Sequence, residues 1–439
     1  MSLESRLLDA LKPWRTAPRW LVAFSGGLDS TVLLHALARL AKRQALPPLG
    51  ALHIHHGLQA SADAWPAHCR AVCERLGVEL HVRRVQVAPG PSLERAAREA
   101  RYDAFCESLN PGEVLLAAQH RDDQAETVLF RLLRGAGVRG LAGMPACRAL
   151  GKGWLMRPLL DIGRDEIAAY AREQGLDWID DPSNQCDDHA RNYLRHHVMP
   201  VLRRRWPGAA ACMSRAATHL GEAQHLLDEL AEIDLQHARV GGRYQWLGVP
   251  SLCLSSLQRL SPARQRNALR RWLANWTALP DSDHWAGWEA LRDAVSDAAP
   301  VWRLAAGELH RGDGRIWWLS GPWLDAPSGP LEWSQPDKAL QLPGNGSLRL
   351  EGHVGASSLE VRYRHGGESL DLPGRGRRDL KRLLNEAGVP GFVRSRLPLL
   401  YRDDRLIAVS NLPQLDVQAL SLIWTPPTDA RFELVGSFE

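Results

Sequence analysis

Four short stretches of the chain carry residue types at spacings that suit chemistry. The first, Ser25-Gly26-Gly27-Leu28-Asp29-Ser30, lies between a short apolar run and a helical pattern. Its two glycines let backbone amides approach an anion closely. A helix start at this point adds free N–H groups and partial positive charge. With the hydroxyls of Ser25 and Ser30, the six residues make a cradle for a phosphate group. The stretch matches neither G-x-x-x-x-G-K-[ST] nor G-x-G-x-x-G, which disfavours a Walker loop and a dinucleotide site. Asp29 would repel the anion unless Mg²⁺ bridged the two, and Mg²⁺ is typically held by one or two carboxylates plus phosphates. The second stretch, His53-Ile-His-His-Gly-Leu58, ends a strand pattern with His53 and His55 on one face. No cysteine or carboxylate is near enough in sequence to complete a zinc set, so nucleotide or base contact is the better reading. The third, His120-Arg-Asp-Asp-Gln-Ala-Glu-Thr127, places Asp123 and Glu126 on one face of a helix start. Acids there offset the helix dipole in any protein; together with Asp29 they also suit a Mg²⁺–ATP site. Last, Arg98 and Arg101 share a helix face and can clamp a phosphate, or simply lie in solvent.

The elements that must position these residues alternate. Strand patterns at 19–25, 49–57, near 80, at 113–120 and at WLMRPLL are each followed by a helical pattern. That rhythm predicts a doubly wound α/β domain with a parallel sheet. Ligands of such sheets sit outside the carboxyl ends of the strands, and the loops at Ser25, His55 and His120 all lie there. From about 206 to 300 the pattern is helical, and from 301 to 350 it changes to short strands and turns. Residues 321–346 read as a linker, and 350–439 as short strands with one helix ended by Gly388. The expected domains are therefore 1–205, catalytic; 206–345, mainly helical and Trp-rich, contacting the substrate; and 350–439, a small α+β domain.

The 439 residues, 45% hydrophobic and 24% charged, are ordinary for a globular chain of several domains. No apolar run approaches the roughly 18 residues that span a bilayer, and the first twenty residues carry charges throughout, so a cytoplasmic protein without a membrane partner is expected. Net charge is only +4, but bases cluster: five Arg and no acid between Arg191 and Arg205, and again between Arg259 and Arg271. Clusters of this kind attract nucleic acid if they fall on one face. Seven scattered cysteines, with no C-x-x-C, read as reduced thiols. Ten of the 17 tryptophans fall between Trp246 and Trp333; a Trp-rich core is the first reading, stacking platforms for bases the second.

The four stretches, taken with RPLL (157–160), DWIDDPSNQCDDHARNYLRHHVMP (177–200) and the C-terminal VRYRHGGESL and LKRLLNEAGVPGFVRSRLPLL, occur in the order seen in bacterial tRNA(Ile)-lysidine synthases. SGGLDS resembles the PP-loop of the N-type ATP pyrophosphatases; the whole set resembles the lysidine synthase family over nearly the full chain, thinly in 206–350. A histidine common in that family before HRDDQ is Gln119 here. The resemblance implies a ligase that uses ATP and Mg²⁺ to adenylate the wobble cytidine of tRNA(Ile) with a CAU anticodon, after which free L-lysine displaces AMP. It implies Ser25–Ser30, with His53 and His55, for ATP; Asp29, Asp123 and Glu126 for Mg²⁺; and Arg98 or Arg101 for the α-phosphate or the adenylated base. For the tRNA it suggests Arg191, Asn192 and Arg195 at the anticodon loop, and Arg375, Arg377, Arg378, Lys381 and Arg382 at the acceptor stem. A homodimer is compatible with the sequence. A PP-loop thiolase would require reactive cysteines or an iron–sulfur cluster, for which no C-x-x-C exists. A catalytically silent RNA-binding module would have no reason to keep SGGLDS and HRDDQAET intact.

Overall fold

Strand β1 (Trp20–Ala23) shows why the first sheet is buried on both sides. Trp20 and Val22 enter one core and Leu21 the other, because successive side chains of a strand point to opposite faces. Its neighbour β4 (Val114–Leu116) repeats the pattern in register, Trp20 opposite Val114 and Leu21 opposite Leu115. The structure is a computed structural model. It describes the whole chain except residues 56, 58–63, 88–92, 183–186, 188–189, 279–283, 296–297, 353–358, 373, 375, 418–419 and 430–439, and only the backbone of 93–94. Two compact units result, residues 1–225 and 226–439.

In the first unit, α1 (Leu3–Leu11), β1, α2 (Leu28–Ala41), β2 (Leu49–His55), α3 (Trp65–Leu76), β3 (Glu79–Arg84), α4 (Leu93–Ser108), β4, α5 (Arg121–Leu132), α6 (Val138–Leu141), β5 (Cys147–Leu150), β6 (Gly153–Met156) and α7 (Arg164–Glu173) follow in order. The sheet runs β3-β2-β1-β4-β6-β5, all parallel except β5 against β6. This is the doubly wound arrangement read from the sequence. Helices α1, α2, α3 and α7 cover the Trp20 face, and Phe105 of α4 with Leu109, just past its end, covers the Leu21 face. Strand order reverses beside β1, so the loops after β1 and β4 part and leave a crevice. Two details differ from the sequence reading. Where WLMRPLL reads as one strand, β6 stops at Met156 and is preceded by β5, a hairpin turned at Gly151 (φ +56°). Strand β4 likewise stops at Leu116, and residues 117–120 continue as loop toward the crevice. Beyond α7 come α8 (Ala190–Tyr193), a π-helical turn (Leu194–Val198), α9 (Met199–Arg205) and α10 (Ala209–Arg239), within which the units divide.

The second unit holds β7 (Ser251–Cys253), α11 (Leu254–Gln258), α12 (Pro262–Leu273), α13 (Trp285–Asp293), β8 (Val301–Leu304), β9 (Gly307–Gly312), β10 (Arg315–Leu319), β11 (Leu331–Trp333), β12 (Leu340–Gln341), β13 (Ser347–Glu351), β14 (Leu359–Arg362), β15 (Ser369–Leu372), β16 (Gly376–Asp379), α14 (Leu380–Ala387), α15 (Gly391–Arg394), β17 (Leu399–Arg402), β18 (Arg405–Val409) and β19 (Ser421–Thr425). Strand β10 is buried along its length and serves two cores. Ile316 and Trp318 pack with Trp272, Trp285, Trp288 and Trp302, while Trp317 and Leu319 pack with Trp323, Trp333 and Trp424. The tryptophan density is therefore core. Residues 321–346, linker-like in composition, give Trp323, Trp333 and Leu342 to the second of these cores. No helix among the described residues is long and apolar enough to cross a membrane.

Arg315, 6% exposed at the start of β10, closes the end of α10. Its guanidinium donates to the carbonyls of Ala238 (3.3 Å), Arg239 (3.2 Å) and Val240 (3.1 Å), and to Ser251 Oγ (3.0 Å). A cation at a helix C-terminus satisfies carbonyls that have no partner within the helix. Arg315→Met should lose about 3 kcal/mol of stability, read as a lower urea midpoint, with faster amide exchange concentrated in residues 226–439. A variant with the wild-type midpoint would show that these bonds are replaceable by water.

Candidate active site

The turn after β1 is built around Gly26. Its φ of +85° suits glycine, and a Cβ there would lie 2.9 Å from Ile179 Cδ1 and 3.1 Å from Cys69 Sγ. Ile179 in turn donates its N–H to the Gly26 carbonyl (2.9 Å), which brings residues 177–181 against the loop. Ser25 and Ser30 hydroxyls lie 3.1 Å apart; Gly27 N–H donates to Ser25 Oγ (3.3 Å), and Ser30 Oγ donates to the Gly27 carbonyl (3.1 Å). Helix α2 has Gly27 as its N-cap with no side-chain cap, so first-turn N–H groups keep their capacity for a ligand. The loop thus holds the shape of an anion cradle, with Leu28 and Asp29 as the first residues of the helix.

His120 is the N-cap of α5 and is 2% exposed. The backbone N–H groups of Asp122 and Asp123 donate to its Nδ1 (3.2 and 3.4 Å), which leaves the ring hydrogen on Nε2. That nitrogen points between Asp29 Oδ1 (3.7 Å) and Asp123 Oδ2 (3.5 Å). Asp29 Oδ1 is buried and has no hydrogen-bond partner among the described residues. Burial raises the Asp29 pKa; His120 opposes the shift and Asp123 adds to it. A buried carboxylate oxygen left over beside a phosphate-shaped loop, with a second acid next to it, fits a hard divalent cation shared with phosphates.

The third expected metal ligand stands differently. Glu126 is 3% exposed and both its oxygens are taken: Arg195 donates to Oε1 (2.8 Å) and Oε2 (2.9 Å), and Arg191 to Oε2 (3.4 Å). Arg195 also reaches Asp123 Oδ1 (3.0 Å), and Arg191 the Asp123 carbonyl (3.2 Å) and Thr127 Oγ1 (3.3 Å). No group of three His, Cys, Asp or Glu among the described residues is arranged to hold a metal ion, and both Glu126 oxygens carry guanidinium hydrogen bonds. Arg191 and Arg195, expected at the anticodon loop, supply counter-charges to the acids of α5. The π-helical turn between α8 and α9 begins just past Arg191 and carries Arg195. Asp122 faces the opposite way, accepting Arg164 N–H (2.8 Å) and pairing with Arg203.

The loop, His53, His55, Arg98, Arg101, His120, Asp123, Arg191, Asn192 and Arg195 all line one cleft of about 570 Å³, of a size that takes a nucleotide. His53 and His55 are buried where β2 ends; His53 Nδ1 lies 2.9 Å from the Phe24 carbonyl, so it steadies the chain entering the turn. Asp180, Asp181, Arg164, Gln119 and Tyr102 also line the cleft and were not foreseen. Their only sequence signal was their place inside or beside quoted motifs; nothing in their spacing announces a site. In the second unit, Arg377 and Arg378 lie on the exposed ribbon strand β16 and Lys381 and Arg382 on the first turn of α14. Asp379 caps that helix, accepting Arg382 N–H (3.0 Å), which fixes the spacing of these bases. Arg375 lies outside the described residues.

Comparison with known proteins gives three matches to family models along the chain. Residues 1–202 match a PP-loop domain, 252–317 a TilS substrate binding domain, and 359–417 a TilS substrate C-terminal domain. The chain is 62% identical over 429 residues to the tRNA(Ile)-lysidine synthase of Pseudomonas fluorescens (strain Pf0-1), covering 97% of each. It is 62% identical over 433 residues to that of Pseudomonas aeruginosa, covering 97% of this chain and 98% of the relative. The protein so named from Escherichia coli O157:H7 is 42% identical over 416 residues, covering 90% of this chain and 92% of its own length. Similarity of that extent, running the length of a chain whose first unit carries a phosphate cradle at the switch point of a parallel sheet, means that the chain belongs to the tRNA(Ile)-lysidine synthase family, a family of ligases built on a PP-loop ATP-using domain.

Proposed function

We propose that this protein joins free L-lysine to carbon 2 of the wobble cytidine of tRNA(Ile) with a CAU anticodon, through an adenylated base, giving lysidine, AMP and pyrophosphate. The observation that carries the reading is the pairing of the Ser25–Ser30 cradle with the leftover oxygen of Asp29 in the cleft. The carbonyl oxygen of cytosine is a poor leaving group, and transfer of AMP onto it makes it a good one. The loop amides and the Ser25 and Ser30 hydroxyls would hold the ATP phosphates and stabilise the charge that builds on departing pyrophosphate. A Mg²⁺ ion held by Asp29 and Asp123 would supply positive charge for the same purpose. His120 Nε2–H faces both acids. Of Arg98 and Arg101 on the α4 wall, Arg101, which lines the cleft and not the space outside it, suits the α-phosphate or the adenylated base. His53 and His55 shape the strand-end wall beside the nucleotide.

Lysine must attack as a neutral amine although its free pKa is ~10.4. Asp29, Asp123, Asp180 and Asp181 are acids of the cleft lining and are the proton acceptors within its reach. Glu126 contributes through Arg191 and Arg195, which it fixes at the cleft edge where, with Asn192, they meet the turned-out base. Arg377, Arg378, Lys381 and Arg382, with Arg375, form the basic set for the duplex acceptor stem.

Purified protein given Mg²⁺-ATP, labelled lysine and a tRNA(Ile) transcript bearing CAU should put label into the RNA and release AMP. Release of AMP without label in the RNA would overturn the choice of lysine, and tRNA binding without ATP cleavage would leave only an RNA-binding role. Asp29→Asn should cut the rate of AMP release at least about a hundredfold while tRNA affinity measured by filter binding holds; unchanged AMP release would remove Asp29 from the reaction. Reversing charge at Arg377 and Arg378 together should lower the slope of log affinity against log salt by about 2, with ATP turnover in saturating tRNA retained. An unchanged slope would take the acceptor stem off β16.

A further inference from the structure

Outside the cleft lies a second space of about 360 Å³, lined by Arg95, Arg98, Glu99, Tyr102 and Arg148. Arg98 and Tyr102 line the cleft as well, so the two spaces share a wall. The Arg98 guanidinium lies 4.9 Å and that of Arg148 5.1 Å from the centre of the Tyr102 ring. Guanidiniums stacked on a ring keep their N–H edges for other partners. Neither Arg98 nor Arg148 pairs with a carboxylate among the described residues; Arg148 makes one long bond, to the Ala149 carbonyl (3.4 Å). Glu99, the acid of the lining, is bonded to Arg95 (2.8 Å).

Behind the ring sits Arg157, 4% exposed. It donates to Pro145 carbonyl (2.7 Å), to Gln119 Oε1 (3.1 Å) and to the Tyr102 hydroxyl, all uncharged acceptors. Burial lowers the Arg157 pKa, and Arg148 and Arg98 add to that; burial alone would raise the Tyr102 phenol, but Arg98, Arg157 and Arg148 bring it below its ordinary value. Several like charges are thus gathered round one aromatic ring, and Glu99, the acid of the lining, is taken up by Arg95, an arrangement that an anion would relieve.

We infer that this outer pocket binds a phosphodiester of the substrate RNA next to the nucleotide held in the cleft, with Arg98 and Arg148 gripping the phosphate and the Tyr102 ring as its floor. The inference rests on the proposed RNA substrate and adds a subsite to it. Arginine forks match phosphate oxygens bidentately, and an aromatic face tolerates any neighbouring base. The shared wall places the backbone outside while its base enters the cleft.

Arg148 is exposed on the edge strand β5, so the full-length Arg148→Gln variant tests this without disturbing the core, with unchanged thermal unfolding as the control. KM for tRNA should rise about fivefold to tenfold, with kcat and the KM values for ATP and lysine held. The salt slope of tRNA binding should become shallower by about 0.7. Tyr102→Leu should add to the loss, and Tyr102→Phe should bind tRNA as the wild type does. An unchanged tRNA KM and salt slope in Arg148→Gln overturns the inference. A rise confined to lysine KM also overturns it, since the pocket would then take the amino acid's carboxylate. If the wild-type protein binds tRNA without modifying it, the proposed reaction fails, and the salt slopes still decide this pocket.

Discussion

Acids crowded into a buried crevice set the terms for the first unit. Glu126 is buried, and Asp123 and Asp29 are partly covered, at the first turns of α5 and the start of α2. Two unit charges 4 Å apart interact by about 4 kcal/mol at an effective dielectric near 20, so such a cluster persists only with compensation supplied from elsewhere. Arg195 gives it to Asp123 and Glu126 at once, Arg191 reinforces it, and His120 stands between Asp29 and Asp123. The compensation comes from α8 and the π-helical turn, which must therefore dock on α5. Asp122, one residue before Asp123, looks the other way and ties α5 to the start of α7 and to Arg203 of α9. One helical turn of acids organises three later helices.

The same balance is left incomplete at Asp29. Its Oδ1 is buried and accepts no hydrogen bond among the described residues. Buried polar groups are as a rule satisfied, and the exceptions cluster where a ligand completes the set. Across the cleft wall the sign reverses: Arg98, Arg148 and Arg157 gather at Tyr102, and the acid beside them, Glu99, is bonded to Arg95. A cation beside the loop and a polyanion along α4 would answer both imbalances, which is the charge pattern that ATP and RNA bring together.

The second unit rests on a different constraint, the period of two in a strand. In β10 that period sends Ile316 and Trp318 to one core and Trp317 and Leu319 to another, so helices α12 and α13 and the C-terminal sheets share a single buried strand. Arg315 at its first residue then anchors the end of α10. Large flat rings pack well at such a junction because each covers much area with only two torsions to fix.

Legible along the chain are the alternating strands and helices, the glycine turn after Ser25, the helix stop at Gly388, the candidate group of Ser25, Asp29 and Asp123 after strand ends, and Arg98 on a helix face. These follow from local chemistry: turn residues, periodicity, and the rule that parallel sheets present their loops on one edge. Only the tertiary structure decided which side chains answer one another. That Glu126 is bonded by Arg195, 69 positions later, is a matter of which helix docks on α5. That β5 pairs with β6, and that the tryptophans of 246–333 are core, depended on packing partners that spacing along the chain does not encode. Gln119 and Arg157 stood only within or beside quoted motifs and Tyr102 outside them, because their meaning lies in a charge balance that exists only once the strands and α4 are side by side.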